Sequence, residues 1–318
     1  MQFDRPTIKR RAKELIRQTF PHALVITLLY VLLTSTLGNL VELFSPNPLN
    51  QAFSYLAAGS VSSATYALQQ NSTGLGLFLA ILLTLYQSVM GFGYTVWSLH
   101  TWQGARAGFS TLLDGFSMVG RILWMQLQIF FRMLGWATVI TLAGMLPLIV
   151  SSAILANYNL FLSILGALML VAVIICIGGA VIAVSMRYVL VPFALAQHPE
   201  MTATMAVHEG IRLSNHHLWN LFKLELSFLG WQLLLQMAAY LIGFLCLLPS
   251  LSSSWYDIYN TLATLSVRSI PFWVTHLIVL VPSSLLTAYM RLTYAGAYQS
   301  LSQPLPPQDP AFTQHPDF

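Results

Sequence analysis

The feature that most limits what this chain can become is the recurrence of apolar runs of bilayer length. They lie at 21–44, 74–99, 133–155, 160–185, 224–249 and 271–292. A helix needs about 20 predominantly apolar residues to cross a hydrocarbon core. With no water at that depth, its backbone polar groups must be satisfied within the segment itself. Composition agrees: of 318 residues, 56% are hydrophobic and 8% charged, and the mean hydropathy is +0.69. Soluble domains carry roughly 25% charged residues. The expected fold class is therefore all-α, a membrane bundle of six transmembrane helices.

Charge sets the expected direction of threading. Of the 14 Lys and Arg residues, six fall between Arg5 and Arg17. The stretch 45–73 has no charged residue, the turn at 155–160 has none, and 250–270 has only Asp257 and Arg268. The other thirteen basic residues sit on the alternate side of the spans, so the positive-inside rule places both termini in the cytoplasm. The first apolar run is too long for a signal-peptide core and has no small-residue cleavage site close behind it, so it reads as a retained anchor. The expected domains are an interfacial helix at 1–20, the six-span bundle at 21–298 and a proline-rich, disordered cytoplasmic tail at 299–318. Cys176 and Cys246 each lie inside an apolar run, which excludes a disulfide framework and reads as buried thiols. No basic and aromatic residues interleave as single-strand binders require, so nucleic acid is not an expected partner.

Three stretches outside the spans are amphipathic. In 6–20, Pro6 suits a first helical turn. Ile8, Ala12, Leu15, Ile16 and Thr19 share one face of that helix, and Lys9, Arg10, Lys13, Glu14 and Arg17 share the other. A basic amphipathic helix next to a span is expected in the headgroup layer, held by anionic lipid. In 109–132, Asp114, Ser117, Arg121, Gln128 and Arg132 fall within about 60° on an otherwise greasy helix. In 200–223, His208, Glu209, Arg212, Asn215 and His216 form a polar arc opposite Ala203, Ala206, Val207, Ile211, Leu213 and Leu218. Each stretch precedes a pair of spans. Spans four and six end alike, in Met186-Arg187 and Met290-Arg291, which predicts three similar hairpin units.

Candidate chemistry is sparse. Arg132, Arg187 and Arg291 sit at span ends, where a charge is costly unless it snorkels or is paired, and they are the candidate lipid- or anion-binding residues. Glu225 is the acid placed to neutralise one of them. His208, Glu209, Arg212 and His216 form a polar interfacial face. They make a poor metal site, because Arg212 stands where an HExxH motif needs its second histidine. No metal and no cofactor are expected. His100 and His276 have no carboxylate at helical spacing, so no proton relay can be drawn. Gly91, Gly93, Gly178 and Gly179 are expected to let helices approach closely.

The segments RAKE (11–14), GFGY (91–94), FSTLLDGF (109–116), RYVLVPFALA (187–196) and LFKLELSFLGW (221–231) occur in that order. Together they resemble the bacterial multi-pass membrane proteins grouped as domain-of-unknown-function 975. The chain departs from that pattern at 148–180 and in the long 45–73 stretch. The resemblance implies a bacterial cytoplasmic membrane location and supplies no catalytic residues. The expected function is thus non-enzymatic: a structural, accessory or lipid-interacting membrane protein whose partner is the bilayer and its anionic headgroups. The alternative is a small-solute transporter or channel with Arg132, Arg187 and Arg291 as a cytoplasmic-side vestibule. A lipid-modifying enzyme lacks a recognisable nucleophile or metal set.

Overall fold

The computed structural model describes residues 4–44, 74–105, 107–156, 159–247 and 270–302. Helix α1 (Arg5–Thr19) begins with Pro6 in its first turn, where a missing N–H costs nothing. The next apolar run is helical from His22 to Phe44 in three pieces: α2 (His22–Val31), a π-helical turn (Leu32–Thr36) and α3 (Leu37–Phe44). A π turn shifts the hydrogen-bond ladder, and side chains here bond to its backbone and flanks. Thr34 Oγ1 donates to Tyr30 O at 2.7 Å, and Gln87 Nε2 donates to Thr34 O at 3.2 Å.

The remaining elements are α4 (Gly74–Trp102), α5 (Ser110–Leu113), a 3-10 turn (Asp114–Met118), α6 (Val119–Leu155) and α7 (Leu160–Ser185). They continue with α8 (Val191–Gln197), α9 (Ala203–Asn215), α10 (Leu218–Leu247) and α11 (Ile270–Ser302). Short caps fix the starts of two of them. The Asn159 side chain accepts from the Phe161 N–H at 3.0 Å, and Thr202 Oγ1 accepts from the Met205 N–H at 3.4 Å. All the described elements are helical, and six helical stretches are long and apolar enough to cross a membrane. The fold is all-α, in the architecture of a multi-pass membrane protein.

Three features differ from expectation. The 109–132 segment is not a helix separate from the third span. From Val119 it runs unbroken into α6, 37 residues long. No proline occurs in that helix before Pro147, so nothing stops it at 132. At 1.5 Å per residue α6 measures about 55 Å, well beyond a hydrocarbon core of about 30 Å. Residues 299–302, assigned to the tail, complete α11 instead. The rest of the expected tail, 303–318, lies outside the described residues, as do the 45–73 and 250–269 stretches from which the charge asymmetry is partly read. The three hairpins also differ in packing. α6 pairs closely with α7, and α10 pairs with α11, but the first span and α4 both lean on α11.

Burial is concentrated at one end of the bundle. There Ile8 and Ala12 of α1, Leu99 and Trp102 of α4, Leu221, Leu224 and Phe228 of α10, and Leu292 to Tyr298 of α11 close around α8. A neighbouring cluster joins α4, α6 and α9 through Phe92, Ile122, Met125, Ala206 and Val207. Further along the spans the apolar side chains are exposed, with Leu146 at 71%, Phe161 at 73% and Met237 at 72%. Cys176 and Cys246 are exposed as well. An apolar run in a membrane protein can face acyl chains as well as a core, so these thiols are not buried as expected.

Close packing at the dense end depends on particular glycines. A Cβ on Gly93 would lie 2.0 Å from the Leu112 carbonyl oxygen, and one on Gly210 would lie 2.6 Å from Val191 Cα. A Cβ on Gly178 or Gly179 would meet nothing within 4 Å beyond its own helix among the described residues, so these two are not the packing devices they were expected to be. Gly93→Ala is expected to destabilise the protein by about 1–3 kcal/mol, the usual cost of overpacking, while Gly178→Ala leaves stability unchanged. Thermal unfolding of both variants in one detergent checks the contrast.

Candidate functional site

The basic helix α1 docks across the dense end through its apolar face, with Ile8 and Ala12 buried. Several of its cations rest on aromatic rings. The Arg11 guanidinium lies 4.8 Å from the Trp102 ring centroid, and its Nη2 donates to Trp102 O at 3.5 Å. Lys13 Nζ is 5.7 Å from the Tyr289 ring. Lys9 was expected on the solvent face. Its ammonium instead lies 4.6 Å from the Phe228 ring centroid and donates to Ser227 Oγ. A lysine at the edge of an amphipathic face can lay its stem along apolar surface, and helical projection does not reveal where a neighbouring helix will meet it.

The three span-end arginines occupy different surroundings. Arg187 follows α7 and stacks over Trp136 of α6, 5.1 Å from the ring centroid. Trp136 is one helical turn beyond Arg132 on α6. Arg291 lies on α11 at the dense end, next to the fully buried Leu292. Glu225 does not meet an arginine. Among the described residues no ion pair joins it to Arg132, Arg187 or Arg291, and its carboxylate accepts a hydrogen bond from the Tyr294 hydroxyl. Tyr294 lies three residues beyond Arg291, one turn along the same helix face. A phenol there supplies the hydrogen bond without bringing a second charge out of water.

Burial differs around α9. Ala203, Ala206, Val207, Gly210 and Ser214 are buried, while His208, Arg212 and His216 are exposed and Glu209 is half-buried. Glu209 Oε1 accepts from Arg212 Nη2 at 2.7 Å, one turn apart. A shallow depression of about 520 Å³ lies over His208, Glu209, Arg212 and Asn215. Among the described residues no cluster of three or more metal-ligating side chains occurs. At His217, burial and the charge of His216 lower the imidazole's basicity.

A different cavity, of about 430 Å³, was not legible in the sequence. It lies between the first span, α10 and α11, and Ser35, Gln236, Tyr240, Thr275, His276 and Ser283 contribute to its wall. His276, isolated in sequence, finds a partner on another span: its Nε2 lies 3.0 Å from Thr36 Oγ1 in the π turn. The Thr275 hydroxyl is buried with no hydrogen-bond partner, and Pro282 interrupts the α11 ladder nearby. The polar run Thr34-Ser35-Thr36 inside an apolar span was the available sign of this site.

Residues 1–304 match the family model described as protein of unknown function (DUF975). The chain belongs to that family. The match extends across both the 45–73 stretch and the 148–180 region that had stood out as departures, and ends two residues after α11. No curated protein and no solved structure matches the chain. The segments that carried the family resemblance meet around the dense end. Ala12 of RAKE is fully buried. Tyr94 of GFGY stacks between Tyr30 and Trp97, and its hydroxyl lies 2.9 Å from Thr27 Oγ1. Leu221, Leu224 and Phe228 of the α10 segment face the core, while its Glu225 meets Tyr294. The family's description assigns no role, so function rests on this geometry.

Tyr294→Phe is expected to cost about 1–3 kcal/mol, because it leaves a half-buried carboxylate without its donor. Glu225→Gln keeps an acceptor in the same place and is expected to cost less. Equal unfolding temperatures for Tyr294→Phe and the parent protein would contradict the assignment.

Proposed function

We propose that this member of the family is a non-enzymatic integral protein of the bacterial cytoplasmic membrane. Its role is structural or accessory and is exercised through lipid, and both termini lie in the cytoplasm. The observation that carries this reading is the division of the bundle into a packed basic end and long apolar surfaces. Spans so loosely covered over their outer length present most of their contact area to acyl chains. The basic end presents α1, with Arg10, Lys13 and Arg17 exposed, to the depth at which anionic headgroups lie. The thirteen-to-one distribution of Lys and Arg supports the same orientation.

In a Cys176→Ala, Cys246→Ala background, Ser60→Cys is expected to react with a membrane-impermeant maleimide in intact cells, whereas Gln18→Cys reacts after lysis only. The reverse pattern would overturn the orientation. The lipid role is read from phospholipid retained through detergent purification, which should be richer in anionic species than the bulk membrane. A retained pool of bulk composition would count against it.

A second reading, small-solute transport, is favoured by the cavity holding His276, since transporter sites cluster inside the bundle beside interrupted helices. Arg132, Arg187 and Arg291 are not in the wall of that cavity. Transport requires Ser35→Cys and Ser283→Cys to be reachable by water-soluble thiol reagents from both faces of the membrane. Access from one face or neither supports the structural role.

A further inference from the structure

A hollow of about 550 Å³ lies where α1 crosses α10 and α11, and Lys9, Lys13, Trp231, Leu286 and Tyr289 contribute to its wall. Its two ends differ in chemistry. On one side stand the ammonium groups of Lys9 and Lys13, one helical turn apart. On the other the wall is apolar, with Trp231 exposed at 60% and Leu286 half-buried against the core. Arg10, also in the wall, is engaged elsewhere: its Nε donates to Glu14 at 3.4 Å. No acidic residue is among those that wall the hollow.

Lys9 is the telling residue. It is half-buried against Phe228, and its polar contact is a neutral hydroxyl, Ser227 Oγ. Burial first, then the neighbouring charges of Lys13 and Arg5, lower its basicity. A cation held in that way, beside a second one and facing no carboxylate in the hollow, is stabilised by any anion that bridges the pair. Lys Nζ groups bind phosphate as point charges. A free anion would leave the apolar mouth of the hollow uncovered, whereas a phospholipid fills both ends at once.

We propose that this hollow binds an anionic phospholipid, its headgroup phosphate between Lys9 and Lys13 and an acyl chain along Trp231 and Leu286. This rests on the lipid-interacting reading given above and assigns that interaction a place and a ligand class. Binding there would fasten α1 to α10 and α11, because the phosphate joins cations on the first helix while the chain lies against the other two.

The test uses the full-length protein delipidated in detergent and titrated with phosphatidylglycerol or phosphatidylcholine, with bound lipid counted by native mass spectrometry. Phosphatidylglycerol should bind at least about tenfold more tightly to the parent protein than to the Lys9→Gln, Lys13→Gln double variant, as expected for losing two cations at an anionic group. Phosphatidylcholine binding should be the same for both. Arg212→Gln, on α9 and outside the hollow, should stay within about twofold of the parent, and a Lys9→Arg, Lys13→Arg variant should retain binding, which separates charge from folding. Glycerophosphoglycerol, the headgroup without chains, should not displace the lipid. If phosphatidylglycerol binds tightly but the double variant binds it equally well, this site is wrong while the lipid-interacting reading stands. If phosphatidylglycerol is not preferred over phosphatidylcholine, both fall.

Discussion

The fold depends on burying one short helix. α8 spans seven residues, and Val191, Phe193, Ala194 and Leu195, with Leu190 before them, are completely shielded. Each large apolar side chain so shielded is worth about 1.5–3 kcal/mol relative to exposure. The segment follows Arg187 at the end of a span, where a chain would ordinarily turn back into water. It instead forms the hub on which α4, α9 and α11 meet, and on which α1 and α10 close. The arrangement needs close backbone approach. Gly210 of α9 lies against Val191, and Gly93 of α4 lies against Leu112.

Away from that hub a different solvent governs. In water, exposed residues such as Leu146, Phe161 and Met237 would drive collapse. In acyl chains they cost nothing, and helices have no hydrophobic reason to bury them against one another. The α6–α7 pair is the clearest instance, packing mainly on itself and exposing the rest of its surface. The protein is thus held together at one end of the bundle, while its outer apolar surfaces suit solvation by lipid. Polar groups within the spans gather where a π turn disturbs the first span and Pro282 disturbs α11, and there Thr36 and His276 satisfy one another.

Cations at the dense end are managed mainly by rings. Arg11 sits over Trp102, Arg187 over Trp136, Lys13 over Tyr289 and Lys223 over Trp219. A ring face attracts a cation without adding an anion that must itself be desolvated. Such contacts suit a boundary where one side is apolar and the other wet. Glu225 in turn takes a phenolic donor and not a span-end arginine, while the Trp136 ring serves Arg187.

Much of this was legible from residue order. Apolar run length and helical period are one-dimensional properties. They sufficed for an all-α chain of six membrane-length helices. Other features depend on which helices become neighbours. Helical projection placed Lys9 toward solvent, since it has no knowledge of Phe228 arriving from a helix more than two hundred residues later. It left His276 alone because Thr36 approaches from another span, and Glu225 was joined to an arginine because charge was the one partner property visible along the chain. Period and composition act within a helix, so sequence reveals them. Contacts between helices come from packing in three dimensions, and they place the hub, the His276 cavity and the lysine-lined hollow.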